Sequence, residues 1–328
     1  MKDKILNFEF EGEKIKNLFK EVEINEKDGK VYVVLGYEKQ NFDEKTLKRT
    51  LMKFLKIDLQ LSGAKIVFKD LVADELYRNS ILGKDNILYL LIASGKGGVG
   101  KSNVSANLAN AFNEKGYRVA LIDCDIYGSS IPNIFNISEY PPMVDDILYA
   151  ANVNGIDIVS VDFLMGASVP IIWRGPMLNR ALNQFFYFTK YQDDIEIVII
   201  DLPPGTGDVA LDVAQLMPNA FQIIVTTPHP DAAMIAIKAG EMAYKMNQKI
   251  LGVIENMSYY RYDNKELDIF GYGGGDMVAN VLNVPLLEKL EIASAKSGSI
   301  YHDKESNYVK YLSIADKIIK ESKYSKQK

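Results

Sequence analysis

Hydrophobic and polar residues follow two different patterns along this chain, and the second begins at Ile87. From there on, short apolar runs alternate with longer stretches whose apolar residues recur at helical spacing. This alternation predicts an α/β fold with a mainly parallel, doubly wound sheet that binds ligands at the carboxyl ends of its strands. The predicted strands are Ile87–Ala93, Val119–Ile122, Ile156–Val161, Ile195–Ile200, Phe221–Thr226 and Ile250–Ile254.

The residues before this region have a pattern of their own. Val31–Leu35 and Ala64–Phe68 are typical of strands because they are rich in β-branched and aromatic residues. Phe42–Leu55 carries its apolar residues on one helical face, and a shorter helix is predicted at Lys14–Phe19. The sum is a small α+β domain. The predicted boundaries are 1–77 for this domain, 78–86 for a linker and 87–328 for the α/β domain.

The main candidate chemistry lies directly after the first strand of the α/β domain. The segment Ser94–Ser102 reads SGKGGVGKS and opens into a predicted helix at Asn103–Lys115. Such a loop surrounds a polyphosphate with its backbone N–H groups, and the helix N-terminus adds partial positive charge. Lys101 is predicted to contact the β- and γ-phosphates, and the Ser102 hydroxyl to ligate Mg²⁺. The predicted nucleotide-binding residues here are Gly95, Lys96, Gly97, Gly98, Val99, Gly100, Lys101 and Ser102.

Other polar residues follow later strands of the predicted sheet. We predict that Asp125 positions the water that attacks the γ-phosphate, with Asp123 nearer the metal. Asp201 ends an apolar run in the form of a Walker B carboxylate, which holds Mg²⁺ directly or through water. Gly205 lies in a proline-rich loop, where its N–H could approach the γ-phosphate in one of two loop arrangements. The amide of Asn256 could read the adenine edge, although stabilising a turn fits the sequence equally well.

Charge and cysteine content narrow the class of protein. The 328 residues carry a formal net charge of −5, a single cysteine, Cys124, and two histidines. An acidic balance argues against a dedicated nucleic-acid binder, and one cysteine excludes an internal disulfide and fits a reducing cytoplasm. Neither a signal-peptide core nor an apolar run of roughly 18 residues is present. We therefore expect a cytoplasmic protein that binds neither nucleic acid nor membrane.

Five motifs in order resemble one protein family. They are GKGGVGKS at 95–102, DCDIYGSSIP at 123–132, WRGPM at 173–177, DLPPGTGD at 201–208 and ENMS at 255–258. The series resembles the Mrp-type P-loop ATPases, the cytosolic iron–sulfur cluster carriers within the deviant P-loop class that includes MinD and ParA. The resemblance implies a homodimer that binds and slowly hydrolyses ATP and passes clusters to apoproteins. It also implies that Lys96 reaches the partner's nucleotide, which would make Lys96 catalytic beside Lys101 and Asp125.

One feature of that family is absent from this sequence. A C-x-x-C pair usually follows ENMS and holds a cluster between two subunits, but Tyr262 and Lys265 stand at those positions here. Iron–sulfur clusters are held chiefly by thiolates, and Cys124 lies between two aspartates of the nucleotide site. Cluster binding by this chain is therefore in doubt.

Three functions stay open at this point. The chain is an ATPase of the carrier family with lost or altered cluster handling, a nucleotide-gated scaffold for an apoprotein or assembly partner, or a MinD-like positioning ATPase. The last depends on whether the amphipathic segment Tyr308–Lys320 binds lipid or packs on the sheet. DCDIYGSSIP and WRGPM favour the carrier branch over the positioning ATPases.

Overall fold

The computed structural model divides the chain into two compact units, Met1–Ser80 and Ile81–Lys328. Each unit has a hydrophobic core of its own. The residues that the structure describes are 1–27, 30–38, 42–70, 80–126, 128–144, 146–164, 175–293, 295, 299–302 and 305–325.

The first unit is a small α+β domain. Its elements are α1 (Lys2–Leu6), β1 (Glu9–Phe10), β2 (Glu13–Lys14), α2 (Ile15–Leu18), β3 (Glu21–Lys27), β4 (Lys30–Tyr37), α3 (Glu44–Lys53) and β5 (Ala64–Asp70). Strands β3, β4 and β5 form a sheet in that order, with β3 antiparallel and β5 parallel to β4. Asp43 caps α3 by accepting a hydrogen bond of 3.1 Å from the backbone N–H of Lys45. The sheet buries Val31, Val33, Leu35 and Ile66 in the core that also holds Leu47 and Leu51 of α3.

The second unit is the predicted α/β domain. Its strands are β6 (Leu88–Ser94), β7 (Val119–Asp123), β8 (Met143–Val144), β9 (Ile147–Tyr149), β10 (Ala151–Val153), β11 (Ile156–Ser160), β12 (Thr189–Lys190), β13 (Ile197–Asp201), β14 (Phe221–Thr226), β15 (Lys249–Tyr262), β16 (Lys265–Leu267) and β17 (Leu286–Glu291). Its helices are α4 (Lys101–Glu114), α5 (Ile131–Ile134), α6 (Gly175–Tyr187), α7 (Asp208–Leu216), α8 (Pro230–Lys245), α9 (Gly274–Leu282) and α10 (Ser306–Ser322).

Within the described residues, nine strands form the central sheet in the order β10-β11-β7-β13-β6-β14-β15-β16, with β17 also paired to β15. All neighbours are parallel except β10 on β11 and β16 on β15. Every residue of β6, β7, β11 and β13 is buried, as expected for strands covered on both faces. The mainly parallel sheet predicted from the sequence is confirmed, and the loop after β6 lies at its carboxyl edge.

One predicted strand is much longer than its apolar run. We predicted a strand at Ile250–Ile254, but β15 continues from Lys249 through the ENMS motif to Tyr262. It then turns at Asp263 and Asn264 and pairs with β16, so that Tyr262 lies opposite Lys265. Both turn residues have positive φ, 48° and 57°, which Asp and Asn tolerate in a two-residue hairpin turn. The positions of the family's cysteines therefore flank the turn of a hairpin rather than lie in a loop.

The last helix packs inside the second unit. The face of α10 that carries Asn307, Tyr311, Ile314, Ala315 and Ile318 is buried. Its neighbours are α4 and β17. The apolar face of Tyr308–Lys320 is thus covered by protein, as the packing alternative requires. In the described part of the chain no helix combines the length and the apolar character that crossing a membrane requires.

Candidate nucleotide site

The loop between β6 and α4 borders a cleft of about 400 Å³ at the carboxyl edge of the sheet. Pro204 from the loop after β13 and Gly128 from the loop after β7 also line it. Three neighbouring strands, β7, β13 and β6, thus deliver their following loops to one place. The predicted site residues that line this cleft are Lys96, Gly97, Gly98, Val99, Gly100, Lys101, Ser102 and Asp125.

At two positions of the loop no residue other than glycine fits, because a Cβ would collide with neighbouring atoms. A Cβ on Gly95 would lie 2.3 Å from the backbone carbonyl carbon of Ile235 in α8. Gly100 precedes α4 with a φ of +81°, and a Cβ there would lie 2.2 Å from Nδ2 of Asn256. Close packing requires glycine at both positions, and at Gly100 the left-handed backbone requires it as well. The loop is therefore held against α8 on one side and β15 on the other.

Lys101 lies at the centre of the site with only 5% of its side chain exposed. Its Nζ lies 2.8 Å from Oδ2 of Asp201 and 3.6 Å from Oδ2 of Asp125. The contact with Asp201 is an ion pair without hydrogen-bond geometry, and none of the described groups accepts a hydrogen bond from this ammonium. A buried ammonium with unused donors is costly unless a ligand supplies acceptors. Phosphate oxygens would do so at the N-terminus of the 14-residue helix α4.

Asp201 joins the end of β13 to the first turn of α4. Its Oδ2 accepts a hydrogen bond of 2.5 Å from Oγ of Ser102, and its Oδ1 accepts one of 2.6 Å from Oγ of Ser105. Ser102 and Asp201, both predicted to ligate the metal, are thus brought together. Ser105 was not among the predicted site residues, although it lies three residues after Ser102 and so on the same face of α4.

Asp125 is the aspartate after β7 that reaches the cleft. It is 6% exposed, and its Oδ1 accepts a hydrogen bond of 3.1 Å from the backbone N–H of Gly128. Its other oxygen is the one 3.6 Å from Lys101. A carboxylate held in this way beside the phosphate-binding lysine can orient a water molecule at the cleft.

Asp123 faces a different environment. It is fully buried, and its carboxylate accepts hydrogen bonds from the Asp125 backbone, from Ser129 (2.7 Å) and from Ser160 (3.1 Å). Burial and then the neighbouring carboxylate of Asp201 raise the pKa of Asp123 to about 7. Protein donors occupy both of its oxygens, so this geometry favours a structural role. It does not support our prediction that Asp123 approaches the metal.

Two further predicted ligands are engaged elsewhere in this conformation. The N–H of Gly205 donates a hydrogen bond of 2.8 Å to the carbonyl of Ser94, so it is not directed at a phosphate. Nδ2 of Asn256 donates one of 2.9 Å to the carbonyl of Val99. One N–H of the Asn256 amide is thus used in a contact with the phosphate-binding loop.

The residues predicted to contact a second subunit, and those at or considered for the cluster-binding positions, differ in how exposed they are. The side chain of Lys96 lines the cleft and is half-buried. Tyr262 is 66% exposed on the hairpin and Lys265 is exposed opposite it. Cys124 is buried, and that burial raises the pKa of its thiol, so it is a poor metal ligand. Trp173 and Arg174 of the WRGPM motif, Tyr127 of DCDIYGSSIP and the start of the predicted linker lie outside the described residues.

The described residues contain no group of three or more His, Cys, Asp or Glu side chains that could hold a metal by itself. Mg²⁺ in nucleotide sites is typically held by one or two protein groups, phosphate oxygens and water. The pair formed by Ser102 and Asp201 fits that requirement.

Comparisons with known proteins agree with this geometry. The family described as ParA: NUBPL iron-transfer P-loop NTPase matches residues 87–321. The iron-sulfur cluster carrier protein of Bacillus subtilis (strain 168) is 45% identical over 219 residues, which cover 66% of this chain and 62% of that protein. The protein of the same name from Mycobacterium leprae (strain TN) is 43% identical over 211 residues, covering 62% of this chain and 55% of that protein. The matched region thus spans less than two thirds of either relative.

Two solved structures share the fold. A nucleotide-binding protein in complex with ADP from Archaeoglobus fulgidus is 26% identical, with a TM-score of 0.57 over 77% of this chain and 93% of that chain. The cell division ATPase MinD of Pyrococcus furiosus is 21% identical, with a TM-score of 0.53 over 71% of this chain and 98% of that chain.

Proposed function

The chain belongs to the ParA family of P-loop NTPases, in the group described as NUBPL iron-transfer proteins, and from that premise we propose that it is a Mg²⁺-dependent ATPase that acts as a homodimer. The observation that carries this proposal is the Lys101 ammonium, buried between Asp125 and Asp201 with no acceptor of its hydrogen bonds among the described groups. A polyphosphate bound in the cleft supplies those acceptors.

The binding step uses the loop Ser94–Ser102 and the start of α4. Backbone N–H groups of the loop contact the phosphates, and Lys101 turns from Asp201 towards the β- and γ-phosphates. Ser102 and Asp201 are the residues that would hold Mg²⁺ beside the phosphates. The metal neutralises phosphate charge when it is bound.

The hydrolysis step is assigned to Asp125. Its carboxylate orients a water molecule for in-line attack on the γ-phosphorus, so that ADP and inorganic phosphate are the products. Lys101 stabilises the charge that develops on the transferred group. Because Asp125 is held by the Gly128 N–H, it approaches the water in a fixed direction.

The loop after β13 changes with the γ-phosphate. Gly205 donates its N–H to Ser94, the last residue of β6, and Pro204 borders the cleft. Breaking the bond to Ser94 frees this N–H for the γ-phosphate. Binding of ATP rather than ADP would thus rearrange residues 202–208. A partner protein that binds this loop would then distinguish the two nucleotide states.

The proposed homodimer and the proposed role of Lys96 rest on the second lysine in the loop motif GKGGVGKS. Lys96 borders the cleft in addition to Lys101, which alone suffices for the phosphates of its own chain. We assign Lys96 to the nucleotide of the second subunit, where it adds positive charge beside the γ-phosphate. This assignment makes hydrolysis dependent on dimerisation.

The cargo of this chain is the second part of the proposal. Relatives carry the name iron-sulfur cluster carrier protein, yet the one cysteine of this sequence is buried and the hairpin exposes Tyr262 and Lys265 instead. A dimer of such chains offers no pair of accessible thiolates. We therefore favour a nucleotide-gated scaffold for an apoprotein or an assembly partner over direct carriage of a cluster by its own thiolates.

The ATPase assignment is tested by phosphate release from the purified full chain with ATP and Mg²⁺, with EDTA and with GTP. We expect slow release that requires Mg²⁺ and prefers ATP. Absence of release above that of the Lys101→Ala variant would contradict the assignment.

The cargo assignment is tested by anaerobic reconstitution with iron and sulfide, with iron counted per dimer. We expect neither cluster absorbance nor stoichiometric iron in the wild type or in the Cys124→Ser variant. Cluster absorbance that the Cys124→Ser substitution removes would make this chain a carrier with an unusual thiol ligand, and the scaffold proposal would be wrong.

A further inference from the structure

The pairing of β15 with β17 is irregular beside the nucleotide cleft. Glu255 pairs with Lys289 and Tyr259 pairs with Glu291, so the three residues of β15 between the two pairs oppose one residue of β17. We call the three residues between Glu255 and Tyr259 the bulge. Its middle residue, Met257, has a φ of +55°, a left-handed conformation that residues other than Gly, Asn and Asp rarely adopt. Such a conformation persists only where the surrounding contacts enforce it.

The buried carboxylate of Glu255 closes the bulge. Glu255 is 1% exposed, and one of its oxygens accepts a hydrogen bond from the hydroxyl of Ser258, the last residue of the bulge. The other oxygen accepts a hydrogen bond of 2.5 Å from the backbone N–H of Gly275 in the first turn of α9. A carboxylate only accepts hydrogen bonds, so it matches both donors, whereas the NH₂ group of a glutamine at this position would face one of them. The two hydrogen bonds offset the cost of burying the charge.

Close packing holds α9 against Glu255. A Cβ on Gly275 would lie 2.7 Å from the Cβ of Glu255, and a Cβ on Gly274 would lie 2.5 Å from the carbonyl oxygen of Pro228. Only glycine fits where other atoms approach so closely. The first turn of α9 is therefore held between β15 and the loop after β14, and its N–H group offers the carboxylate a fixed anchor.

The bulge in turn contacts the phosphate-binding loop. Nδ2 of Asn256 donates a hydrogen bond of 2.9 Å to the carbonyl of Val99, and the Cε of Met257 lies 3.5 Å from the position of a Cβ on Gly100. In a trans peptide the C=O group and the N–H group of the next residue point in opposite directions. The contact between Asn256 and Val99 therefore fixes the direction of the Gly100 N–H. Gly100 lines the nucleotide cleft, so this N–H is one of the loop donors available to a phosphate.

We propose that Glu255 is a positioning residue of the nucleotide site, whose carboxylate sets the bulge so that Asn256 reaches the carbonyl of Val99. Through that contact it directs the Gly100 N–H towards the phosphates. Glu255 itself does not line the cleft. The proposal rests on the proposed function, since it assigns Glu255 to the nucleotide that the ATPase binds. The competing account is a cap of α9 alone, in which Glu255 stabilises that helix and leaves the loop unaffected.

Hydrogen exchange of the nucleotide-free full chain tests whether Glu255 holds the loop. Glu255→Gln sets an NH₂ group against one donor, and Ser258→Ala deletes only the bond across the bulge, which keeps the test available if Glu255→Gln does not fold. The matched control is Glu196→Gln, which alters a carboxylate directly before β13, at the opposite edge of the sheet. Glu196 is 8% exposed and accepts a hydrogen bond of 3.0 Å from the backbone N–H of Arg118.

The amides of residues 95–101 provide the readout of this exchange experiment. We expect them to exchange at least about fivefold faster in Glu255→Gln and in Ser258→Ala, and within about twofold of the wild-type rates in Glu196→Gln. Wild-type exchange of these amides in both bulge variants would reduce Glu255 to a cap of α9 and overturn the proposal.

Calorimetric titration with Mg²⁺ and a non-hydrolysable ATP analogue adds a second readout, counted per folded chain. We expect Kd to rise about tenfold in Glu255→Gln and in Asn256→Ala, and the double variant to bind within about threefold of Asn256→Ala alone, because both residues act on the same loop carbonyl. An unchanged Kd in Glu255→Gln, with a lower urea midpoint, would overturn the proposal. So would effects that multiply in the double variant, because Glu255 would then act independently of Asn256.

The two readouts separate this proposal from the proposed function. A wild type that binds no nucleotide would overturn the proposed function, and the exchange rates of residues 95–101 would still decide whether Glu255 positions the loop. A wild type that binds nucleotide, with bulge variants that match it in both readouts, would overturn the role of Glu255 while the nucleotide site stands.

Discussion

Ser102 and Asp201 are joined by a hydrogen bond of 2.5 Å although they lie 99 residues apart in the chain. The bond links the first turn of α4 to the end of β13. It brings together a hydroxyl and a carboxylate, the two oxygen donors that a nucleotide-bound Mg²⁺ takes from P-loop proteins. Replacing one of them should therefore affect the metal before it affects the nucleotide.

Ser102→Ala should remove most of the effect of Mg²⁺ on nucleotide binding, because it deletes one ligand and one of the two hydroxyl groups that hold Asp201 in place. We expect the gain in ADP affinity on adding Mg²⁺ to fall by roughly tenfold or more. Calorimetric titration with Mg²⁺ and with EDTA measures this gain, and Ser313→Ala on α10 is the matched control. An unchanged gain would exclude Ser102 as a ligand.

Asp125→Asn should leave nucleotide affinity within about twofold, while kcat for ATP hydrolysis falls by about 100-fold. The amide keeps an oxygen for the Gly128 N–H, but it carries no negative charge beside the attacking water and cannot accept a proton from it. Single-turnover phosphate release measures the rate, with Asp212→Asn on α7 as control. Turnover at the wild-type rate would assign the water to another group.

Asn256→Ala distinguishes the contact seen here from adenine recognition. Loss of the hydrogen bond to Val99 leaves a loop carbonyl without its donor, so we expect a loss of about 1–3 kcal/mol in the free energy of unfolding. Affinities for ATP and GTP should fall by the same factor. Urea unfolding and calorimetry provide the two readouts. If the variant loses only its preference for ATP over GTP, Asn256 reads the base instead.

Asp123→Asn should change how stability depends on pH. Burial, then Asp201, raises the pKa of Asp123 from 3.8 to about 7, so the folded chain keeps a proton that the unfolded chain releases at lower pH. The stabilisation that the protonated Asp123 adds to the free energy of unfolding is therefore complete below pH 3.8, and it decreases as the pH rises towards about 7. We expect the difference between wild type and variant to fall on the order of 1 kcal/mol per pH unit in this window. Urea midpoints across the window measure it, and parallel curves would place the pKa of Asp123 near its ordinary value.

The phosphate-binding loop and the parallel sheet were predictable because their signals are local. An apolar run, a glycine-rich loop and a helical period follow one another between Leu88 and Glu114. The length of β15 was not predictable, because the apolar run of this strand ends at Ile254. Beyond it the buried Glu255 accepts a hydrogen bond from the neighbouring Ser258 and a second one from the backbone of Gly275 in α9, and the second partner is not visible in the local sequence.

The two aspartates at the end of β7 and directly after it show a second limit of the sequence. Asp123 and Asp125 have the same side chain and are two residues apart, so no local pattern tells which of them reaches the cleft. The difference comes from Ser160 on β11, which bonds to Asp123, and from Lys101, which faces Asp125. Only the order of strands in the sheet brings those partners to one aspartate rather than the other.

The central claim is that Lys101 binds the phosphates of a nucleotide, and calorimetric titration of the full chain with Mg²⁺ and a non-hydrolysable ATP analogue tests it most directly. Lys101→Ala removes the buried ammonium and also leaves the buried Asp201 without its cation, so Lys101→Arg, which keeps the charge, accompanies it. We expect binding to the wild type, no measurable binding to Lys101→Ala and weakened binding to Lys101→Arg. Lys101→Ala binding as tightly as the wild type would contradict the account, as would a wild type that binds no nucleotide.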